Sequence, residues 1–125
     1  MNLEEMKLKD LLQIVKLFNG GKEEREVGPH PDLNKKVILR TYSAGVHYGK
    51  LVSKEGTEVI LEGAIRLWYW DGACSLSQLA MEGTKKPSEC KFAVPVDRVT
   101  LQYIEILSCT AGAIASIEGV SSWKS

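Results

Sequence analysis

Residues 36–70 contain four short segments with β-strand character, joined by tight glycine-containing turns. The segments are rich in β-branched and aromatic residues, which favour strands. Their bounds are 36–42, 46–53, 57–62 and 65–70. The turns contain Gly45, Gly56 and Gly63, and glycine accepts the positive φ that tight hairpin turns require. Strands joined in this way pair with their neighbours along the chain, so the sequence predicts an antiparallel meander.

The rest of the chain adds two extended segments and two short helices. The extended segments are 91–96 and 99–107, and the second alternates in character along its length. Residues 75–81 form a short helix that ends at Gly83, and the alanine-rich residues 110–117 form another. These elements predict an α+β fold with an antiparallel meander sheet of about five to six strands, two short helices and an N-terminal helix.

The N-terminal helix is predicted at residues 1–20 from an amphipathic pattern. Apolar residues recur there at the spacing of one helix face, and they are Leu8, Leu11, Leu12, Val15 and Phe18. The charged, proline-containing residues 21–35 then predict a linker, and 36–125 a sheet-based core, all within one domain at 1–125. The apolar stripe is wide for a small domain, so the helix either packs on the sheet or forms a subunit contact. The second alternative predicts a homo-oligomer.

The charge balance and the cysteines exclude several classes of protein. Sixteen basic residues cancel sixteen acidic ones, so no overall field attracts the chain to nucleic acid or to a membrane. No apolar run approaches the roughly 20 residues that span a bilayer, and the acidic N-terminal region is unlike a signal peptide. The three cysteines are an odd and widely spaced set, which fits a reducing compartment. We expect a soluble cytoplasmic protein with no membrane partner, and nucleic acid is not the expected ligand.

The segment from Arg66 to Trp70 is the first candidate binding site. Side chains alternate along a strand, so Arg66, Trp68 and Trp70 share one face. An indole stacks on a planar base, and a guanidinium holds a phosphate with a fixed pair of hydrogen bonds. This face therefore suits a planar, anionic ligand. The alternative is that both tryptophans belong to the core and Arg66 covers an edge.

The turn after the first strand is the second candidate. Ser43, Ala44 and Gly45 are small enough to let a ligand approach the backbone, whose N–H groups can bind an anion. Further candidates flank the turn, and they are Arg40, Tyr42 and His47. Gly45 and Gly49 lie on either side of His47, which predicts open space beside the imidazole. The alternative is an ordinary hairpin with one packed histidine.

The break after the fourth strand is the third candidate. Its residues are Asp71, Gly72, Ser75 and Ser77. The start of the following helix presents unpaired N–H groups that favour phosphate, although capping alone also explains Ser75. Lys85 and Lys86 form a cationic loop that is either a lid or a solvated turn. The three segments together predict one nucleotide-sized pocket.

Catalytic and metal-binding motifs are absent from the sequence. It contains no CxxC, HExxH or GxSxG motif and no Walker-type phosphate loop. The cysteines and histidines lack the spacing of metal ligands. Cys74 and His47 are a formal nucleophile and base, but no local pattern supports that pairing. We therefore expect a binding protein and not an enzyme, with no metal and no other cofactor.

These segments resemble a family of small phage proteins, the first class of anti-Thoeris sponge proteins. The resemblance covers roughly residues 37–124, and its motifs are RTYSAGVHYG at 40–49, WYWDGACSLSQLA at 68–80 and the stretch 87–95. It implies a protein that binds the cyclic ADP-ribose isomers made by bacterial TIR enzymes and sequesters them without degrading them. That activity would block a bacterial anti-phage defence. The resemblance also implies assembly into dimers or hexamers, with separate sites for cyclic oligonucleotides in some members.

Three other functions fit parts of the sequence. A phage enzyme would act on a nucleotide or another phosphodiester. A single-stranded nucleic-acid-binding protein would stack bases on the tryptophans of 66–70, although the zero net charge counts against it. A structural or interaction protein would use the apolar N-terminal helix as its working surface.

Overall fold

The computed structural model describes residues 29–125 of the chain. Within this part, Pro31–Ser125 form one compact unit. The helix predicted at 1–20 lies outside the described residues, and so does most of the linker predicted at 21–35. The assignment of 1–125 to a single domain therefore stays a prediction.

Six strands and two α-helices make up the described unit, which confirms the predicted α+β class. The strands are β1 Lys36–Thr41, β2 Val46–Glu55, β3 Glu58–Tyr69, β4 Lys91–Ala93, β5 Val96–Ser108 and β6 Ser122–Trp123. The helices are α1 Leu76–Glu82 and α2 Ala111–Glu118, and a 3₁₀ turn at Pro87–Glu89 precedes β4. Neither of these two helices has the length and apolar character needed to cross a membrane.

Four of the strands close into a ring in which each one is hydrogen-bonded on both sides. β1 and β3 each pair with β2 and with β5, always antiparallel. The predicted antiparallel pairing is confirmed within the ring, and β1 to β4 pair with their neighbours along the chain as a meander does. The sheet as a whole is not a simple meander, because the order is β2-β1-β5-β3-β4-β6 with β2 and β3 also joined. The long strand β5 makes the difference, since its first half pairs with β3 and its second half with β1. Contacts between segments this distant in sequence leave no signal in local periodicity.

Alternation along the strands places apolar side chains in two separate cores. In β1, Val37 and Leu39 point into one core and Ile38 into the other, and all three are fully buried. The inner core is formed by ring strands alone, and its buried members are Val37, Leu39, Leu51, Val59, Leu61, Ala64 and Leu101. The outer core also involves β4 and the helices, and its buried members are Ile38, Tyr48, Leu67, Leu79, Ala80, Cys90, Phe92 and Ile117. Burial on both faces explains the consecutive apolar residues of β1.

β3 is one strand of 12 residues, where the sequence predicts two strands at 57–62 and 65–70. Gly63 has a positive φ of +57°, which is typical of a turn. The pairing with β5 nevertheless continues through Glu62 and Ala64 on either side of it. The register with β2 shifts at this point, so Gly63 lies at a bulge inside the strand. Beyond the bulge, the second half of β3 pairs with β4.

Both predicted short helices are confirmed, and local capping sets their ends. Ser75 caps α1 and Thr110 caps α2, since each side-chain oxygen accepts the backbone N–H three residues later. α1 ends at Gly83, which has a positive φ of +74°. A Cβ on Gly83 would lie 2.4 Å from the side chain of Ser116 in α2. The two helices therefore meet closely at this glycine.

The last strand, β6, pairs with β4 in parallel orientation. The sequence predicts only a tail at 120–124, so this pair is a feature that the sequence interpretation missed. β4 has 3 residues and β6 has 2, and segments that short carry no usable alternation. The pairing brings Trp123 into contact with Trp68 near the end of β3.

A hydrogen-bonded group fastens the end of α2 to the ring. The Tyr48 hydroxyl donates to Glu118 Oε2 at 2.5 Å, and Lys36 Nζ lies 3.0 Å from the same oxygen. The bonds from Tyr48 and Lys36 lower the pKa of the Glu118 carboxyl. Burial raises the pKa of the Tyr48 hydroxyl, so this group stays protonated and remains a donor.

Tyr48→Phe should lower the free energy of unfolding by about 1 kcal/mol, because it removes the hydroxyl and keeps the buried ring. Urea denaturation measures the change. Lys36→Gln is a control with a smaller expected loss, because it removes a partly exposed ion pair with Glu118 and a cation–π contact with the Tyr48 ring, whose centre lies 5.8 Å from Lys36 Nζ. The lowered pKa of Glu118 means that its contribution is complete above the ordinary value of 4.5 and is lost as the pH falls. The stabilities of the variant and the original protein should therefore converge in acid. An unchanged midpoint at neutral pH would contradict this role.

Candidate functional site

A cleft of about 350 Å³ lies between the turn that joins β1 to β2 and the end of β3. Its lining residues are Ser43, Ala44, Gly45, Val46, Arg66, Leu67, Trp68 and Trp70. The register of the ring explains this arrangement, because His47 of β2 is paired with Arg66 of β3. In an antiparallel pair, the residues before His47 therefore lie beside those after Arg66. The volume falls in the lower part of the range of about 300–1,000 Å³ that is usual for ligand pockets.

The β1–β2 turn is held in one shape by the side chain of Thr41. Its Oγ1 accepts the Ala44 N–H at 2.8 Å and donates to the Gly45 carbonyl at 2.8 Å. The backbone N–H of Thr41 also donates to the Gly45 carbonyl, at 3.0 Å. Gly45 itself has a φ of +86° with no atom near its missing Cβ, so its backbone is open on that side. This wall of the cleft is therefore preorganised, and it has only small side chains.

Arg66 contributes a guanidinium to the cleft. The two other arginines in the described part of the chain bind carboxylates: Arg40 Nε lies 3.3 Å from Glu105, and Arg98 lies 3.7 Å from Glu62. Arg66 has no such carboxylate partner among residues 29–125. Its side chain is exposed at the cleft. The positive charge is therefore available to an anion.

The two tryptophans of β3 line the same cleft, but they differ in burial. Trp68 is 63% exposed. Trp70 is half-buried and packs against the outer core. Trp68 therefore offers an indole face to a ligand, while Trp70 is shared between the cleft wall and the core. The prediction that Arg66 and both tryptophans lie on one surface agrees with this arrangement, although Leu67 lines the cleft as well.

Trp123 extends this aromatic surface, and the sequence interpretation missed it. Its ring is stacked beside that of Trp68, with 6.4 Å between ring centres and 15° between planes. Lys91 Nζ lies 5.4 Å from the centre of the Trp123 ring, which is cation–π geometry. Both indoles are at least half exposed. A tryptophan isolated among serines and lysine in a predicted tail was the signal that could have indicated it.

His47 lies behind the turn and does not line the cleft. Its side chain is 3% exposed, and its Nε2 lies 2.9 Å from the Ala44 carbonyl oxygen. The predicted open space beside the imidazole is wrong, because the neighbouring Gly49 is packed against β3. A Cβ on Gly49 would lie 3.1 Å from the Glu62 carbonyl oxygen. Burial lowers the pKa of His47, and the positive charge of Arg66 lowers it further, so the imidazole is neutral at pH 7.

The Asp71–Gly72 break forms a tight junction with the lysine loop. Gly72 has a φ of +82°, and a Cβ on it would lie 2.5 Å from Lys86 N and 2.6 Å from Lys85 N. Thr84 Oγ1 donates to the Asp71 carbonyl at 2.5 Å. The backbone of the lysine loop is thus fixed beside Asp71 and Gly72, while the side chains of Lys85 and Lys86 are exposed to solvent. Neither lysine lines the cleft.

Four other predicted site residues are not brought to the cleft. They are Arg40, Tyr42, Ser75 and Ser77. Arg40 binds Glu105, and Tyr42 is 91% exposed beyond the end of β1. Ser75 accepts the Gln78 N–H, which is the capping alternative, and α1 has only 7 residues. The helix start therefore does not contribute to the cleft as predicted, and Ala73 and Leu76 pack against the outer core instead.

The lining of the cleft is mostly apolar or small, with one charged side chain. Among its eight lining residues, Arg66 is the one ionisable side chain, so the lining contains no acid–base pair. Residues 29–125 contain no group of three or more histidine, cysteine or acidic side chains that could hold a metal ion. The arrangement can attract an anion, stack a planar group and admit a ligand close to the backbone of the turn.

Comparison with known proteins gives a family but no activity. Residues 34–117 match the model of a family described as a domain of unknown function, DUF6948. No curated protein matches the chain significantly. The match covers the ring, the cleft, α1 and all of α2 except its last residue, and it ends before Trp123.

Proposed function

The chain belongs to the DUF6948 family, and we propose that it is a non-catalytic protein whose cleft binds a planar, anionic nucleotide. One observation carries this proposal: an arginine without a carboxylate partner among residues 29–125 lines a cleft together with two indoles. A guanidinium binds phosphate, and an exposed indole stacks on a base. The small residues of the turn leave room for the ligand between these groups.

The resemblance to anti-Thoeris sponge proteins narrows the proposed ligand to cyclic nucleotide immune signals. In this proposal the protein sequesters cyclic ADP-ribose isomers made by TIR enzymes, and cyclic oligonucleotides are further candidates. It acts as a homo-oligomer, a dimer or a hexamer, in the cytoplasm of the host bacterium and blocks anti-phage defence there. The lining of the cleft supports sequestration over turnover, because it lacks the groups that acid–base catalysis of hydrolysis uses.

Within the cleft, we place the phosphates on Arg66 and the base on Trp68. Arg66 lines the cleft from β3, and its guanidinium can make two parallel hydrogen bonds to a phosphate. The base then covers the exposed face of Trp68, two residues further along β3. A ligand larger than one nucleotide would extend from the cleft onto Trp123, whose ring is stacked beside Trp68.

The proposal is tested by native mass spectrometry with a panel of cyclic ADP-ribose isomers and cyclic di- and trinucleotides. The spectrum reports assembly and ligand stoichiometry together. Bound ligand is then released by denaturing the protein and analysed. A sponge returns it intact, and an enzyme returns a changed product. Absence of binding to every member of the panel would reject the proposed function.

Arg66→Ala should weaken binding of cyclic ADP-ribose about 10-fold or more, because a charge-assisted bond to phosphate contributes roughly 1.5–3 kcal/mol. Isothermal titration calorimetry measures the dissociation constant. Arg98→Ala is the matched control, since Arg98 is also an exposed strand arginine but binds Glu62 and does not line the cleft. Equal affinities for the two folded variants would show that Arg66 does not hold the phosphate.

A second candidate function is binding of single-stranded nucleic acid. The observation in its favour is the exposed stack of Trp68 and Trp123 next to Lys91, since stacked aromatics and cations are the usual elements of single-strand sites. An oligothymidylate titration distinguishes the candidates. Binding that becomes tighter with strand length and is strongly weakened by salt would favour this second function.

A further inference from the structure

His47 lies directly behind the Ser43–Gly45 turn, which forms one wall of the cleft. On β2 it is flanked by Leu39 of β1 and Arg66 of β3, which are its partners in the two registers. Leu39 is fully buried in the inner core, and His47 is 3% exposed. The imidazole therefore occupies the interior behind the turn and is out of reach of a ligand in the cleft. Any effect it has on binding must act through its neighbours.

The hydrogen bond of His47 reaches the turn itself. Nε2 lies 2.9 Å from the carbonyl oxygen of Ala44, a residue that lines the cleft. A carbonyl oxygen only accepts, so Nε2 must carry the hydrogen and donate it. Thr41 binds the Ala44 N–H and the Gly45 carbonyl from the same turn. Thr41 thus holds the Ala44 N–H and the Gly45 carbonyl, and His47 holds the Ala44 carbonyl between them.

The imidazole is also coupled to the cationic group of the cleft. Arg66 is the charged residue paired with His47, and its charge acts against protonation of the imidazole. Leu39 and Ala44, which face His47 from β1 and the turn, are uncharged. On β5, Tyr103 is paired with Thr41, and Glu105 is bound by the guanidinium of Arg40. Burial is the largest cause of the lowered pKa of His47, the hydrogen bond to Ala44 opposes it, and the positive charge of Arg66 lowers the pKa further. An anion bound at Arg66 would offset that charge and so favour protonation of His47.

From this geometry we infer that His47 is a positioning residue, which holds the Ser43–Gly45 turn in its binding shape and links ligand binding to uptake of a proton. The inference rests on the proposed function for its ligand, but the effect on the turn does not need a ligand. By linkage, an anion that favours protonation of His47 must bind more tightly when His47 is protonated. Affinity for an anionic ligand should therefore increase as the pH falls into the range, below the ordinary histidine value of 6.5, where His47 takes up its proton.

Two substitutions separate the hydrogen bond from the charge. His47→Leu fills the interior but donates no hydrogen bond to Ala44. His47→Gln keeps an N–H donor and cannot gain a charge. Thermal unfolding first establishes that each variant is folded.

The ligand-free measurement is hydrogen exchange of the Ala44 amide, whose N–H donates to Thr41 Oγ1, by NMR. Exchange should be about 10-fold faster or more in His47→Leu, because the turn loses one of its two anchors. His47→Gln should remain close to the original protein. Unchanged exchange in a folded His47→Leu variant would overturn the positioning role, whatever the ligand proves to be.

The ligand measurement is the dissociation constant of cyclic ADP-ribose at pH 7.5 and pH 5.5, between which its diphosphate group keeps its charge. We expect affinity to increase at least about twofold at the lower pH in the original protein and to stay level in His47→Gln. The same pH dependence in both proteins would overturn the coupling. If the original protein binds no member of the nucleotide panel, the proposed function fails, and hydrogen exchange still decides the positioning role.

Discussion

Replacing Gly72 with alanine should lower the free energy of unfolding by about 3 kcal/mol or more. The expected loss has two physical sources. Gly72 has a φ of +82°, which a residue with a Cβ adopts only at a cost. The new Cβ would also lie 2.5 Å from Lys86 N and 2.6 Å from Lys85 N, which are backbone atoms that no rotamer change can move. The lysine loop would have to separate from the end of β3.

Gly56→Ala is the matched control for this prediction. Gly56 also has a positive φ, +58°, but no atom lies within 4 Å of the position of its missing Cβ. Its substitution should therefore cost only the backbone conformation, about 1 kcal/mol. Urea denaturation of the two variants measures the difference. Equal losses would mean that the close approach of the lysine loop to Gly72 contributes nothing to stability.

Trp68→Ala should weaken binding of cyclic ADP-ribose about 30-fold, because one base–aromatic stack contributes roughly 1–3 kcal/mol. Its stability should change little, since Trp68 is 63% exposed. Trp70→Ala should show the opposite balance and lose about 2 kcal/mol of stability, because Trp70 packs against the outer core. Its affinity should fall less than that of Trp68→Ala. The structure thus distinguishes two tryptophans that sequence alternation treats as equivalent.

Tryptophan fluorescence and calorimetric titration together test this pair. Quenching by the ligand should be largely lost in Trp68→Ala and retained in Trp70→Ala. Tyr69→Ala is the control, because Tyr69 is a half-exposed aromatic residue on the same strand that does not line the cleft. A folded Trp68→Ala variant with unchanged affinity would show that the base of the ligand does not stack on Trp68.

Local interactions explain the parts of this fold that could be predicted from the sequence. The strands at 36–55 and the two short helices are set by β-branched residues, turn glycines and capping side chains within a few positions of each other. The grouping of the Ser43–Gly45 turn with Arg66, Trp68 and Trp70 is also close to a local property. It follows from one hairpin, because the β2–β3 register opposes His47 to Arg66.

The features of the fold that could not be predicted depend on pairing between strands that are distant in the sequence. β5 closes the ring by pairing with β1, and β6 adds Trp123 through a parallel pair with β4. His47, a predicted ligand contact, is instead an interior residue between its partners on β1 and β3. The pairing of β1 with β5 also gives Arg40 a carboxylate partner, Glu105, while none of the described residues supplies one to Arg66.

The amino-acid sequence by itself therefore determined which residues have the chemistry for a planar anion and which of them lie near each other along one hairpin. Only the tertiary structure decided which arginine is available, which tryptophan is exposed and which histidine supports the turn. The physical reason is that charge pairing and burial depend on the neighbours that strand closure supplies. Those neighbours lie tens of residues away along the chain, beyond the reach of turn chemistry and side-chain alternation.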